Sequence, residues 1–172
     1  DEIGRWLELP KLRNLYLNNN YEQGSLQEWP QRGWPQQLET LNLGSCGFSI
    51  TEFTSFFQRS VWPQLRSLSV DWMQEGMSPG NLAGTLSQMP GLTRFDLSSR
   101  RFSNSYDLNP DGRRFESLRS LNLSRSFGPM NSKAILGSES FPNLNELDIS
   151  FNHIEGGLVP IRDSSLAESL RV

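Results

Sequence analysis

The sequence predicts an α/β solenoid, a coil of similar rungs in which short parallel strands form a curved sheet and helices or loops form the outer side. Three observations predict it. A nine-residue, leucine-based frame recurs six times, its spacing is nearly constant, and an apolar residue followed by proline precedes most copies. At 172 residues the chain is long enough for one domain with a sizeable core.

Each frame begins with a leucine and carries apolar residues at its first, fourth and sixth positions. Successive frames start about 26 residues apart, with hardly any variation. Positions four and six alternate with polar residues, which is the pattern of a half-buried strand. One rung cannot bury its own apolar face, so the rungs must stack into a parallel sheet. The frames are 12–20, 38–46, 65–73, 92–100, 118–126 and 144–152, and the last reads LNELDISFN.

The residues just before the frames predict how the chain enters each strand. Five frames are preceded by an apolar residue and proline, whereas the fifth has Phe115 followed by Glu116. Proline fixes φ and keeps the preceding residue extended, so these dipeptides aim the chain into the strand. The large residue before proline is interpreted as core packing. The pairs are Leu9-Pro10, Trp34-Pro35, Trp62-Pro63, Met89-Pro90 and Phe141-Pro142.

Between frames there is room for a turn and one short helix. Residues 49–57 place phenylalanines at helical spacing after a cap at Ser49 or Thr51. Leu82 and Leu86 have the same spacing, with Asn81 as the expected cap. A further helical turn is expected at 133–136, whereas the turn-rich segment 103–114 is expected to be irregular.

Both ends of the chain carry parts of further rungs. Ile3, Trp6 and Leu7 have helical spacing, and segment 170–172 repeats the strand core that contains Leu147 after a slightly shortened period. We therefore expect residues 1–172 to form a single domain of six full rungs and a partial seventh, belonging to a longer array. Solenoids need polar caps at their ends, so self-association through uncapped ends is also expected.

These frames resemble the leucine-rich repeat family over almost the whole chain. The resemblance implies a horseshoe-shaped leucine-rich repeat solenoid with a parallel concave β-sheet and short helices or loops on its convex side. Members mostly bind proteins. The long period of the frames, with Cys46 at position nine, is similar to the intracellular ribonuclease-inhibitor and F-box types. Residues 147–160 are instead similar to plant-type receptor repeats. The family's ninth residue is expected to hydrogen-bond neighbouring backbone, except where Met73, Arg100 and Ser126 interrupt that ladder.

Positions three, five, seven and eight are predicted to face the concave surface, because the apolar positions between them point inward. Most of these residues are small and polar. The exceptions include aromatic residues and arginines, the types that dominate binding hot spots. Trp72 is the preferred candidate, and Trp72→Ala is expected to weaken binding without lowering the thermal midpoint. The predicted binding residues are Tyr16, Asn18, Asn42, Ser69, Asp71, Trp72, Arg94, Asp96, Asn122, Arg125, Asp148 and Phe151.

Charged residues suggest pairing between rungs rather than a metal site. Asp71, Asp96 and Asp148 form an acidic strip, and Arg94 and Arg125 are expected to neutralise it. Arg13, Arg66 and Arg119 hold position two in alternate rungs and, with Glu39, are expected to form a rim of charge pairs.

The sequence contains no motif that indicates catalysis, a cofactor or a metal site. Cys46 is expected to be a buried, inert thiol, and the single His153 has no nucleophile within its frame. The net charge of −3 argues against nucleic acid, and no apolar run is long enough to enter a membrane. A glycosylation sequon at Asn122 falls inside a predicted strand and is interpreted as a chance match.

The sequence therefore predicts non-catalytic recognition of another protein or peptide through the concave face. Two alternatives stay open: an extracellular receptor fragment that binds a peptide or protein, and the substrate-recruiting segment of a ubiquitin ligase. The single cysteine, which leaves no disulfide-stapled cap, favours an intracellular location.

Overall fold

A computed structural model describes residues 11–20, 36–71, 79–98, 113–125, 130–131, 139–152 and 154–155. Within them, one three-residue strand from each frame joins a six-stranded parallel sheet. Its strands are β1 (Asn14–Tyr16), β2 (Thr40–Asn42), β3 (Ser67–Ser69), β4 (Arg94–Asp96), β5 (Ser120–Asn122) and β7 (Glu146–Asp148). Short strands β6 (Met130–Asn131) and β8 (Ile154–Glu155) form a second parallel pair. The predicted solenoid is confirmed.

The core is built from columns of equivalent side chains. Every pair of neighbouring strands in the large sheet keeps the same register, so position-four residues stand side by side. Leu41, Leu68 and Phe95 in this column are fully shielded from water. Positions one and six add two flanking columns, which are buried except for partly exposed members in the end rungs, such as Leu12 and Ile149. Stacking of the rungs therefore buries apolar side chains that a single rung would leave exposed to water.

The second sheet shows that the chain between the two strands of a rung is shorter in the sixth rung than in the fifth. Ser120 of β5 pairs with Glu146 of β7 in the large sheet. Met130 of β6 pairs with Ile154 of β8 in the small sheet, and these two partners are closer in residue number than the first two. The sixth rung therefore uses two fewer residues than the fifth to travel from its first strand to its second.

The residues that precede the strands pack as predicted. Trp62, Met89 and Phe141 are buried, and Phe115 stacks on Phe141 with ring centroids 5.6 Å apart. In rungs three to six the carbonyl of this residue accepts a hydrogen bond from the N–H of the frame's first leucine, at 3.0–3.3 Å. The dipeptide is thus the first half of a β-turn, a position that suits proline. The first two dipeptides lie outside the described residues.

Two outer helices pack side by side in neighbouring rungs, α1 (Ile50–Gln58) and α2 (Pro79–Leu86). The predicted first helix is confirmed, and its cap is Ser49. The predicted Asn81 cap is wrong, because α2 begins two residues earlier at Pro79. Proline has a fixed φ that suits the first helical residue. The helices expected near residues 3–7 and 133–136, and most of segment 103–114, lie outside the described residues.

We expect Ser49→Ala to lower the free energy of unfolding by about 1 kcal/mol, the usual cost of losing an N-cap. Ser49 Oγ accepts the Glu52 backbone N–H at 3.2 Å, and the Glu52 carboxylate accepts the Ser49 N–H at 2.9 Å. The matched control is Thr51→Ala in the same helical turn, at an exposed position. Urea unfolding measures both variants. Equal stability losses would show that the cap contributes nothing specific.

Candidate partner-binding face

The face of the sheet opposite the core, here called the concave face, carries positions three and five of every rung. Its side chains range from half-buried to exposed, and its end rungs are the more open. Tyr16 in the first rung is 63% exposed, although it is aromatic. Asn42 and Ser69 are half-buried in the second and third rungs. Asn18, at position seven of the first rung, is also exposed.

The last three strands of the large sheet enclose an open depression of about 480 Å³. Three carboxylates and one guanidinium line it, which gives a formal charge of −2, and a serine and an asparagine complete the polar lining. Three of the four charged residues were predicted as binding residues, and Glu146 was not. The polar lining consists of Arg94, Asp96, Ser120, Asn122, Glu146 and Asp148.

The salt bridge in the depression differs from the one expected. Arg94 pairs with Glu146, with 3.7 Å between Nη2 and Oε2, and so reaches past the intervening strand β5. The prediction that Arg94 neutralises the aspartate strip is therefore wrong. Both side chains are more than half exposed, so the pair contributes little to stability and remains open to a partner's competing charge.

Position five has a second role that was not predicted from the sequence. In four rungs its Asn or Asp side-chain oxygen accepts the backbone N–H of position seven at 2.9–3.0 Å, which makes an Asx turn. Asn122 also donates from Nδ2 to Asp96 Oδ2 at 3.2 Å, so both ends of its amide are engaged. The recurrence of Asn or Asp at position five was the available signal. The residues are Asn42, Asp96, Asn122 and Asp148.

Position eight does not continue the concave face. Asn19, Ser45, Arg125 and Phe151 all have φ between 55° and 64°, so the chain leaves the extended conformation there. Ser45 is buried as a result, contrary to the expectation for this position. Arg125 and Phe151 lie instead on the rim where the strands end. The Arg125 guanidinium carbon is 4.6 Å from the centre of the Phe151 ring, and that ring is 78% exposed.

Asp71 is the remaining described member of the predicted site. A Cβ added to Gly44, at position seven of the preceding rung, would lie 1.7 Å from Asp71 Oδ1. The Asp71 carboxylate therefore covers Gly44, and it would have to shift if residue 44 carried a side chain. This contact stacks two rungs, so Asp71 is not part of a free acidic strip. Trp72, the preferred candidate, lies outside the described residues.

The edge where the strands begin is held by arginines at position two. Arg13 forms the expected salt bridge with Glu39 across the first two rungs. Arg66 and Arg119 donate instead to backbone carbonyls of their own entry turns, at 3.1 Å to Pro63 and 2.7 Å to Glu116. The predicted rim of charge pairs is therefore confirmed only for the first two rungs.

Position nine links neighbouring rungs from inside, as expected. The Cys46 thiol donates to the carbonyl of Leu17, which is position six of the preceding rung, at 2.9 Å. The Asn152 amide donates to the equivalent carbonyl of Leu123 at 2.8 Å and to Ile149 at 2.9 Å. The interruption expected at positions 73, 100 and 126 lies outside the described residues.

Comparison with known families agrees with this geometry. The family profile described as Leucine Rich Repeat matches residues 143–162, which include β7 and the bridging amide of Asn152. This match and the six-stranded parallel sheet identify a leucine-rich repeat solenoid. No curated protein sequence matches it significantly. Leucine-rich repeat solenoids are typically protein–protein interaction modules and are generally non-catalytic.

Three other features of the described residues bear on the kinds of site that they form. No group of three or more His, Cys, Asp or Glu side chains is placed there to hold a metal ion. None of its helices is both long and apolar enough to cross a bilayer. A separate cavity of about 330 Å³ lies between the fourth and fifth repeats, and its lining includes Leu86, Met89, Leu92 and residues 113–118. Beside it, Arg114 is paired with Glu116 and Glu139.

We expect Cys46 to make the repeat less stable in alkali. Burial raises the pKa of its thiol, and the charge of Asp71 raises it further, against a lowering hydrogen bond from the Asn20 backbone. Below about pH 8.5 the thiol is protonated in both folded and unfolded chains. Above it the unfolded thiol ionises first, so the free energy of unfolding falls by up to about 1.4 kcal/mol per pH unit.

Urea unfolding at pH 7.0, 8.5 and 9.5 measures this slope. Cys46→Ala is the control, and its stability should fall less steeply above pH 8.5 than that of the wild type. Parallel slopes in the two proteins would show that the thiol does not contribute.

Proposed function

We propose that this leucine-rich repeat protein recognises another protein or peptide through its concave face, without catalysing a reaction. The depression formed by β4, β5 and β7 is the proposed contact region. The observation that carries the proposal is that this depression combines an open shape, exposed charges and a fixed backbone. Asx turns already hold the chain beside Asp96 and Asp148, so binding costs little additional ordering.

The charge of the depression defines the partner. Glu146 and Asp148 are exposed, and Glu146 forms a weak pair with Arg94. A lysine or arginine of the partner can approach both carboxylates and compete for Glu146. The partner is therefore a protein segment that presents a basic side chain. Ser120 and Asn122, on the strand between the charged residues, offer it further polar contacts.

A library of immobilised heptapeptides tests the proposal. We expect bound peptides to be enriched in lysine or arginine, and replacement of that residue by glutamine to weaken binding about tenfold. The double variant Glu146→Gln, Asp148→Asn should lose this preference. Glu139→Gln is the matched control, because Glu139 is also exposed but lies outside the depression. A preference that survives in the double variant, or no selective binding at all, would refute the proposal.

A further inference from the structure

The Arg125–Phe151 pair on the rim is costly for the folded chain. Both residues have positive φ, 56° and 57° respectively. This conformation is unfavourable for L-residues and is tolerated best by glycine, asparagine and aspartate. The first repeat has Asn19 in the same place and conformation. An exposed phenylalanine in this position gains neither the backbone preference of asparagine nor the stabilisation of burial.

The pair is nevertheless held in a defined position. The Arg125 backbone N–H donates to the Ser150 carbonyl at 2.9 Å, which ties the two rim turns together. The Ser150 N–H donates in turn to Asp148 Oδ1 at 2.9 Å. The guanidinium then lies over the phenylalanine ring in a cation–π contact. The two side chains therefore form one small, preorganised surface, here called the rim platform.

The chemistry of the rim platform points to a carboxylate. Arg125 makes no side-chain hydrogen bond or salt bridge with any other described residue, in contrast to Arg94 and Arg114. A guanidinium stacked on a ring keeps its N–H edge available, and that edge matches the two oxygens of a carboxylate. The exposed Phe151 ring offers an apolar surface next to that edge.

We propose that the rim platform binds an acidic residue and its apolar neighbour in the partner segment. This inference rests on the proposed function, because the same segment would place its basic residue in the depression. Arg125 follows β5 by three residues, and these span at most about 10 Å, because the chain turns at position eight. The partner's acidic and basic residues are therefore about two to four positions apart in an extended segment that runs along the strands.

The library-selected heptapeptides also test this inference. We expect an Asp or Glu beside an aromatic or branched aliphatic residue, at the stated distance from the basic residue. By fluorescence polarisation, replacing the acidic residue with its amide should weaken wild-type binding about fivefold. The Arg125→Gln variant should bind the acid and amide peptides equally. The Arg125→Lys variant should restore part of the difference in affinity between these two peptides. A phosphoserine counterpart of the peptide should bind no better than the glutamate peptide, and tighter binding would overturn the assignment to a carboxylate.

A stability measurement separates recognition from a structural role. Phe151→Asn should weaken peptide binding while leaving the thermal midpoint unchanged or raising it, because asparagine suits positive φ. A lowered midpoint would assign the ring to folding instead. In one outcome, Arg125→Gln keeps the preference for an acidic residue, whereas the Glu146→Gln, Asp148→Asn variant loses the preference for a basic residue. The inference about the rim platform is then refuted, and the proposed function stands. If the wild type shows neither preference, both the inference and the proposed function are refuted.

Discussion

Phe95→Ala should lower the free energy of unfolding by about 3–5 kcal/mol, the usual cost of removing a buried aromatic side chain. Phe95 is fully buried in β4, and its register partners are Leu68 and Leu121 on the two neighbouring strands. The cavity would therefore loosen two repeat interfaces at once. Native domains are stable by only about 5–15 kcal/mol, so we expect the thermal midpoint to fall by about 10 °C.

The loss should also change how the chain unfolds. Solenoid stability is approximately a sum of contacts between neighbouring repeats, so a weak interface at β4 can divide one cooperative transition into two. Urea unfolding followed by circular dichroism measures both effects. Phe95→Leu, which supplies the residue found at this position in the other five repeats, should cost much less, and Arg94→Ala on the exposed side should change stability by less than about 1 kcal/mol. A loss below about 1 kcal/mol for Phe95→Ala would mean that the column is not tightly packed.

The strands and core were predictable because their determinants are local and repeated. Leu41, Leu68 and Leu121 recur at one position of the frame, and alternation with polar residues specifies which side is buried. Packing of Trp62 was predictable for a similar reason, since proline after it restricts the backbone to an entry geometry. In each case the residue's neighbours in sequence contain the information.

The candidate site was less predictable because it depends on contacts between rungs. The Arg94–Glu146 pair joins residues two rungs apart and skips one strand, so the frame alone cannot reveal it. Alternation also fails at position eight, where the backbone of Ser45 turns to positive φ and the side chain becomes buried. The Asx turns that precede this change were visible as Asn or Asp at position five, but their meaning required the backbone.

Trp62→Ala should also destabilise the chain by about 3–5 kcal/mol, although Trp62 lies in no strand or helix. Its indole is only 4% exposed and lies 5.1 Å from the Phe57 ring and 5.6 Å from the Phe56 ring, measured between centroids. Those phenylalanines are the inward face of α1. Trp62 therefore packs the outer helix against the turn that precedes β3. Its removal should lower the helical circular dichroism signal at urea concentrations below those that unfold the sheet.

The backbone of Trp62 gives a way to separate packing from turn geometry. Its N–H donates to the Gln88 carbonyl at 2.7 Å, a bond that Trp62→Ala keeps. Trp62→Phe keeps an aromatic plug and should recover most of the stability, whereas Val61→Ala, at the exposed neighbouring position, should have little effect. If Trp62→Phe is as unstable as Trp62→Ala, size and shape of the indole decide the fit. If both variants match the wild type, the backbone turn alone holds α1, and the interpretation of Trp62 as a core plug is wrong.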